Sequence, residues 1–438
     1  MFKVAILLGF AAVCWAQVPT PCDSPKQWEG RRVMTDQSKS FQEIAKYSYD
    51  AENLRTRAIE EREVGRERDY YDVLHLYKEN KEYRLNLKTR KCNVSTPRHP
   101  FFETRVPPGS KFLFEAEAGV AQVPGEHLTV QNWDITFDDG AKYAIAVTSP
   151  DCVPIFAAYY SKEVGFLIEN FFDIHAGISD PSVFIPPQEC MGLPCTLNGS
   201  SAATYNTKGT FCSVLSCYLD RGTSIITEGQ KITASFGPGL QFRMKLFVCL
   251  ALIVVCSAQV PQRCESPKQW TGRRVRSDRY QKFFEIASHT YDEVNMRTRS
   301  IEEIQQGIEK DYYDVIHLHA LGTEYRLNLR TKQCNVTKMT RPFRPIGVPL
   351  DARFLYEAEF GAAQIPSEHI TTLFFDGKSQ DGAQYYVQVT TPDCVPINFD
   401  VRSNSTDEHF HETYYDVRIG ISDPTVFIPP QECNKHHV

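Results

Sequence analysis

Eight cysteines stand where covalent chemistry is easiest to read. Cys22, Cys92, Cys152 and Cys190 recur as Cys264, Cys334, Cys394 and Cys433, the first three at an offset of 242 residues and the last at 243. Thiolates at such positions could hold a metal or pair by oxidation. No CxxC or partner His spacing accompanies them, so an even set that appears twice reads as the disulfides of an exported protein. Four cysteines per copy allow three connectivities, and spacing does not choose among them. The other six of the 14 cysteines fall outside this frame: Cys14, Cys249 and Cys256 in apolar segments, Cys195, Cys212 and Cys217 between the copies.

Imidazoles come next. His75 and His317 occupy one repeat position and His127 and His369 another, and a histidine could serve as a general base. The chain carries no GxSxG, HExxH, phosphate-binding loop or GxGxxG turn to accompany them. They read as satisfied core groups, and the protein as a non-enzyme that requires no cofactor; a secreted hydrolase using His75 or His317 is the least favoured alternative. Asp134, Asp138 and Asp139 form an acidic cluster whose spacing misses the EF-hand pattern, so it reads as a solvated turn, and no metal ligands are assigned. Glycosylation sequons occur at Asn93, Asn198, Asn335 and Asn404; Asn93 and Asn335, each directly after a cysteine at a hairpin end, are favoured, followed by Asn404 in a polar loop. A formal charge of −6 leaves no basic field for a phosphate backbone, which argues against a nucleic-acid partner.

The elements that must position these groups are strands. Tyr71, Val73 and His75 alternate with Asp72, Leu74 and Leu76, and after the polar turn Lys78 to Asn80 the alternation resumes through Tyr83, Leu85 and Leu87. That predicts a hairpin with one buried face, repeated at Tyr325, Leu327 and Leu329. Lys111 to Gly119 alternates Phe112 and Phe114 with Leu113 and Glu115, and Tyr143, Ile145 and Val147 alternate with the small Ala144 and Ala146. Trp28 and Trp270 should anchor an initial strand in the core, with the following Arg pairs solvated. Glu60 to Asp69 is charged enough to pass for an exposed helix, but strands joined by a solvated loop are expected. Phe171 to Cys190 and its echo Tyr414 to Cys433 read as a strand, a turn and a stapled tail. Aromatics at 12 % and 26 prolines fit an all-β extracellular protein. The expected fold is two tandem β-sandwich domains of stacked antiparallel sheets.

The 438 residues divide on the repeat. Residues 1–16 read as a secretory signal and 17–190 as the first domain. Residues 191–243, rich in Gly, Ser and Thr, form a spacer that belongs to neither copy, where disorder is expected. Residues 244–258 repeat the signal-like pattern, with eleven apolar residues, too few for a bilayer span. Residues 259–438 form the second domain. A second leader in mid-chain suggests that two tandem genes are joined in one reading frame.

Each copy resembles the ependymin and ependymin-related proteins. The resemblance rests on Cys-x-x-Pro-x-Gln-Trp-x-Gly-Arg at Cys22 to Arg31 and Cys264 to Arg273, on the hairpin ends at Cys92 and Cys334, on Asp-Cys-x-Pro at Asp151 to Pro154 and Asp393 to Pro396, and on the segment ending at Cys190 with its twin. It implies a secreted or lysosomal glycoprotein of two stacked sheets, similar in shape to bacterial lipoprotein carriers. It also implies a fatty acyl or other lipid ligand between the sheets, calcium binding, cell-matrix adhesion and homodimers, here replaceable by pairing of the two copies within the chain. An adhesion protein that depends on calcium and lacks a lipid cavity is the alternative. The pairing implied is Cys22 with Cys152, Cys92 with Cys190, Cys264 with Cys394 and Cys334 with Cys433. The pocket residues expected are Tyr83, Leu85, Phe112, Phe114, Tyr143 and Ile145, with Tyr325, Leu327, Phe354, Tyr356, Tyr385 and Val387 as counterparts in the second copy.

Overall fold

The computed structural model describes residues 19–191 and 263–436, apart from 37–38, 40, 66, 122, 162–164, 279–282, 308, 340–341, 367, 379–381 and 404–407. The leader, nearly all of the spacer, the internal leader-like segment and Asn404 lie outside the described residues. Strands of the first repeat are β1 (Gln27–Asp36), β2 (Phe41–Asp50), β3 (Arg55–Val64), β4 (Glu67–Leu76), β5 (Lys81–Asn86) and β6 (Cys92–Ser95). They continue as β7 (Lys111–Gly119), β8 (His127–Thr136), β9 (Lys142–Thr148), β10 (Pro154–Ser161) and β11 (Gly165–Ala176). The second repeat supplies β12 (Gln269–Asp278), β13 (Phe283–Asp292), β14 (Arg297–Gln306), β15 (Glu309–Leu318), β16 (Thr323–Asn328) and β17 (Cys334–Lys338). Its remaining strands are β18 (Arg353–Gly361), β19 (His369–Lys378), β20 (Gln384–Thr390), β21 (Pro396–Ser403) and β22 (Glu408–Ile419).

The architecture is all-β and antiparallel, as the alternation predicts. In each repeat hydrogen bonding runs unbroken through eleven strands, in the order β6-β5-β4-β3-β2-β1-β11-β10-β9-β8-β7 and its equivalent from β17 to β18. First and last strands therefore meet in mid-sheet, while β6 and β7, consecutive in the chain, are the two edges. The charged stretch from Glu60 is strand on both sides of a turn at Gly65, whose φ of 63° suits glycine.

Alternation gives each sheet two faces. On the inner face Trp28 pairs across to Tyr49, and Tyr143 and Ile145 to Ile135 and Trp133. Trp28, Tyr49, Trp133, Tyr143, Ile145, Val147 and Phe171 form one buried cluster there. The loop joining the edges reaches this face: Phe101 packs on Tyr49 with ring centres 5.5 Å apart, Phe102 meets Tyr143 at 5.2 Å, and the Thr104 N–H donates to the Tyr49 hydroxyl at 2.9 Å.

The outer face has two coverings. Under β4 and β5, Leu74 and Tyr83 are buried by Phe184 of the 3-10 turn Pro181–Phe184. Arg57 fixes that turn: it clasps Asp72 with bonds of 2.7 and 2.5 Å and donates to the Val183 carbonyl. The disulfide Cys92–Cys190 then staples the tail to the edge strand, and Cys334–Cys433 does so in the second repeat. Cys22–Cys152 and Cys264–Cys394 tie the approach to each repeat's first strand to the turn that follows β9 or β20.

The rest of the outer face packs against the other repeat. The described residues of the two repeats form one compact unit, and Val33, Ala116, Val130, Ala146, Ile155 and Phe172 share a cluster with Ala358, Phe360, Ile370, Ile397 and Tyr415. Small residues on β7 and β9 let the sheets approach. Backbone bonds cross the boundary as well, from the Ala121 N–H to the Val417 carbonyl at 2.9 Å and from the Ala363 N–H to the Ile174 carbonyl at 3.0 Å. Gly119 and Gly361 turn the chain into these contacts with φ of 103° and 113°; a Cβ there would sit 2.3 and 2.2 Å from the carbonyl oxygens of Glu126 and Glu368, so no other residue fits. The Arg pair after Trp28 is not solvated as expected. Arg31 pairs with Asp173 and donates to the Glu357 carbonyl of the other repeat at 2.6 Å, and Arg32 turns to the inner face.

Candidate functional site

Six of the twelve residues expected to line a pocket lie on inner faces. Phe112, Tyr143 and Ile145 belong to the cluster around Trp28 and Trp133, and Phe354, Tyr385 and Val387 to its counterpart around Phe375. The other six do not, and the expectation for them is corrected. A bulge between Phe112 and Phe114, and again between Phe354 and Tyr356, breaks the period of two. Phe114 and Tyr356 therefore face the other repeat, where Phe114 meets Tyr415 at 5.7 Å and Tyr356 meets Phe172 at 6.4 Å. Tyr83 and Leu85, with Tyr325 and Leu327, occupy the outer face on the side of the stapled tails. The hairpin buries both of its faces, with Val73 and Leu74 each covered almost completely, and alternation cannot say which face meets the tail.

At the rim of the inner apolar cluster Phe112, Ile135, Phe137 and Tyr159 remain partly exposed. The second repeat is narrower at one point: Phe399 stands opposite Val387 where Ala157 stands opposite Ile145.

Beside the apolar half of each inner face lies a charged half that the sequence reading missed. In the first repeat Arg32 meets Glu43 at 2.6 Å and Glu169 at 3.6 Å, Arg84 meets Glu60 at 3.2 Å and Glu82 at 3.5 Å, and His75 meets Glu82 at 3.3 Å. In the second, Arg274 meets Glu285 at 2.5 Å, Arg276 meets Glu412 at 3.3 Å, Arg326 meets Glu302 at 2.9 Å and His317 meets Glu324 at 3.5 Å. Glu43 and Glu285 are the centre of the pattern. Cross-strand from Glu43 stand Met34 and Arg62; from Glu285 stand Arg276 and Ile304. The guanidinium has changed strands between the repeats, yet each repeat keeps three Arg and four Glu. The visible signal was Arg32 on β1, Glu43 on β2, and Glu60 and Arg62 on β3, charged residues out of phase with apolar Val33 and Ile44.

Burial and the neighbouring Glu43 push the Glu60 carboxyl up to about 7, and burial with Glu285 does the same to Glu302. Burial lowers the His75 imidazole against the pull of Glu82, and drives buried His289 well below its ordinary range. His75 Nδ1 lies 3.3 Å from the Thr56 hydroxyl, giving a Thr, His, Glu order that recurs as Thr298, His317 and Glu324. Thr56 is 5 % exposed, so its hydroxyl is held inside the sheet rather than offered to a substrate. His127 and His369 are anchored to the carbonyls of Val123 and Ile365 at 3.0 and 2.9 Å. Among the described residues no group of three or more His, Cys, Asp or Glu is gathered to hold a metal, and no helix is long and apolar enough to cross a membrane. Asn93 and Asn335 are exposed on edge strands β6 and β17.

A recess of about 210 Å³ opens into the charged half of the second repeat, lined by Arg274, Arg276, Glu285, Glu302, Glu324 and Arg326 with apolar Phe283, Ile304 and Val315. Another, of about 360 Å³, lies on the first repeat beside Leu76 and Phe184 under the tail. None of the twelve expected pocket residues lines either recess.

The sequence profile of the ependymin family matches residues 65–190 and again 308–433, more than half of the chain. The chain belongs to the ependymin family. Mammalian ependymin-related protein 1 of Rattus norvegicus is 31 % identical over 190 residues, covering 43 % of this chain and 84 % of the relative. Ependymin-2 of Carassius auratus is 26 % identical over 184 residues, covering 42 % of this chain and 85 % of the relative. Among solved structures, an uncharacterized conserved protein from Thermus thermophilus aligns with a TM-score of 0.25 at 12 % identity, over 38 % of this chain and 88 % of its own. MucB in complex with MucA(peri) aligns with a TM-score of 0.22 at 7 % identity, over 90 % of this chain and 94 % of its own. Likeness at that level supports no statement about this ependymin-family chain.

Proposed function

We propose that this ependymin-family chain is a secreted, non-enzymatic glycoprotein that holds a hydrophobic, fatty acyl ligand against the inner face of its sheets. The observation that carries the reading is the apolar cluster around Trp28 and Trp133, whose rim residues Phe112, Ile135, Phe137 and Tyr159 stay partly open to solvent. An acyl chain laid on such a surface gains about 0.8 kcal/mol for each CH₂ removed from water. Pairing of the two repeats through their outer faces leaves both inner faces free for this role. Glycans at Asn93 and Asn335 would stand at the open edges β6 and β17, where they also hinder edge-to-edge pairing. Native mass spectrometry of the secreted chain tests the reading. Acyl ligands released on denaturation support it; a chain that emerges at its glycoprotein mass, and takes up no fatty acid after delipidation, contradicts it.

A further inference from the structure

We propose that the recess on the inner face of the second repeat binds the protonated amine of an amphiphile. The inference rests on the ligand reading above and gives that ligand a head group. The recess is roomy enough, at about 210 Å³, for several non-hydrogen atoms, and Phe283, Ile304 and Val315 supply apolar walls for the first part of a chain.

The charge count selects the head group. Three guanidiniums, on Arg274, Arg276 and Arg326, face four carboxylates, because Glu412 behind Arg276 joins Glu285, Glu302 and Glu324. Each guanidinium already has a carboxylate within 3.3 Å. The surplus is one negative charge in a setting where uncompensated charge is costly. An anionic head would double the imbalance; an ammonium closes it and can donate to the carboxylates that the guanidiniums leave available. The swap of Arg62 for Arg276 between repeats preserves this surplus although the strand that supplies the guanidinium differs. His289, 1 % exposed and on the same face by its pairing with Gly272, has its Nδ1 2.9 Å from the Ser300 hydroxyl while its Nε2 has no partner. With Nδ1 donating to that hydroxyl, Nε2 is left as an acceptor beside Trp270, whose ring centre lies 5.4 Å away, and the residue stands outside the lining of the recess.

Protons compete for the same surplus. The groups around Glu302 that carry or can carry charge are Arg274 and Arg276 on β12, Glu285 on β13, His317 on β15, and Glu324 and Arg326 on β16. Protonation of Glu302, whose carboxyl is pushed up to about 7 by burial and Glu285, cancels the surplus without a ligand, so amine binding should weaken in acid.

The test is isothermal titration of the full secreted and delipidated chain with dodecylamine, laurate and dodecanol, each below its micellar concentration, at pH 7.5 and pH 5. The expected result is that dodecylamine binds at least tenfold more tightly than either other probe at pH 7.5, and that the preference shrinks at pH 5. Glu302→Gln and Glu324→Gln should each bring the amine within threefold of dodecanol. Equal affinity for amine and alcohol, or a preference for laurate, overturns the inference and leaves the ligand reading standing. Binding of none of the three overturns both. Where a variant loses its near-ultraviolet circular dichroism, the probe preference of the native chain and its pH dependence decide the question without it.

Discussion

Asp173 accepts a hydrogen bond at 2.8 Å from the backbone N–H of Glu359, a residue of the other repeat, and Asp416 accepts one of the same length from Glu117. Both aspartates sit in the left-handed region, at φ of 52° and 54°, where β11 and β22 bulge opposite β1 and β12. Each is also ion-paired, Asp173 with Arg31 and Asp416 with Arg273. The bulge is thus the device that turns one carboxylate of each repeat across the boundary, and it occurs twice with matching partners.

Replacing Asp173 and Asp416 together by Ala should loosen the repeats from one another. Each substitution removes an acceptor for a backbone N–H and leaves an Arg without its partner, costing roughly 1–3 kcal/mol per site. Chemical denaturation should show a lower midpoint, and hydrogen exchange should rise first at β7 and β18, which supply the N–H groups. Unchanged exchange in those two strands would mean that the boundary is held by apolar contact and the backbone bonds of Ala121 and Ala363, and not by the two aspartates.

The tail staples invite a different experiment. Replacing Cys92 and Cys190 by Ser should free Phe184 from Leu74 and Tyr83 and expose edge strand β6. Loss of a disulfide closing about a hundred residues costs on the order of 2–5 kcal/mol. Limited proteolysis should cut first after β11, in the segment carrying the 3-10 turn, with Trp fluorescence unchanged because Trp28 and Trp133 lie on the opposite face. Cleavage elsewhere, or a shift in Trp emission, would argue that the tail supports the inner face.

Buried carboxylates make stability depend on pH with a definite sign. Glu60 and Glu302 have folded-state values of about 7 against an ordinary 4.5. Stability from their protonated forms is fully present below 4.5 and is lost as pH rises through about 7. The unfolding free energy should therefore fall between pH 5 and pH 8, by an amount on the order of 5 kcal/mol for the two sites. Glu60→Gln with Glu302→Gln should flatten that slope; an unaltered slope would show that other groups produce it.

Much of the fold could be read from the chain because its strands alternate cleanly. The hairpin of β4 and β5, the Phe171 to Cys190 unit and the division into two copies all follow from period two, proline placement and cysteine spacing. Less of the site could. The bulges at Phe112–Phe114 and Phe354–Tyr356 leave no mark in composition, so one aromatic of each pair was assigned to the wrong face. Arg32 looked like a solvent residue because its carboxylate partners, Glu43 and Glu169, are brought to it only by strand pairing with β2 and β11. Ala144 and Ala146 did carry a signal for sheet-on-sheet packing; what packed there, the other repeat, depends on contacts far apart in sequence.

Quenching of tryptophan fluorescence by a brominated fatty acid tests most directly whether the inner faces hold a ligand. Apart from Trp15 the tryptophans are Trp28, Trp133 and Trp270, each at most 1 % exposed and all on inner faces. Saturable quenching by a chain brominated near its middle, reversed by the unbrominated acid, is the predicted result. Emission that stays constant while the brominated acid is shown by calorimetry to bind would place the ligand elsewhere and contradict the account.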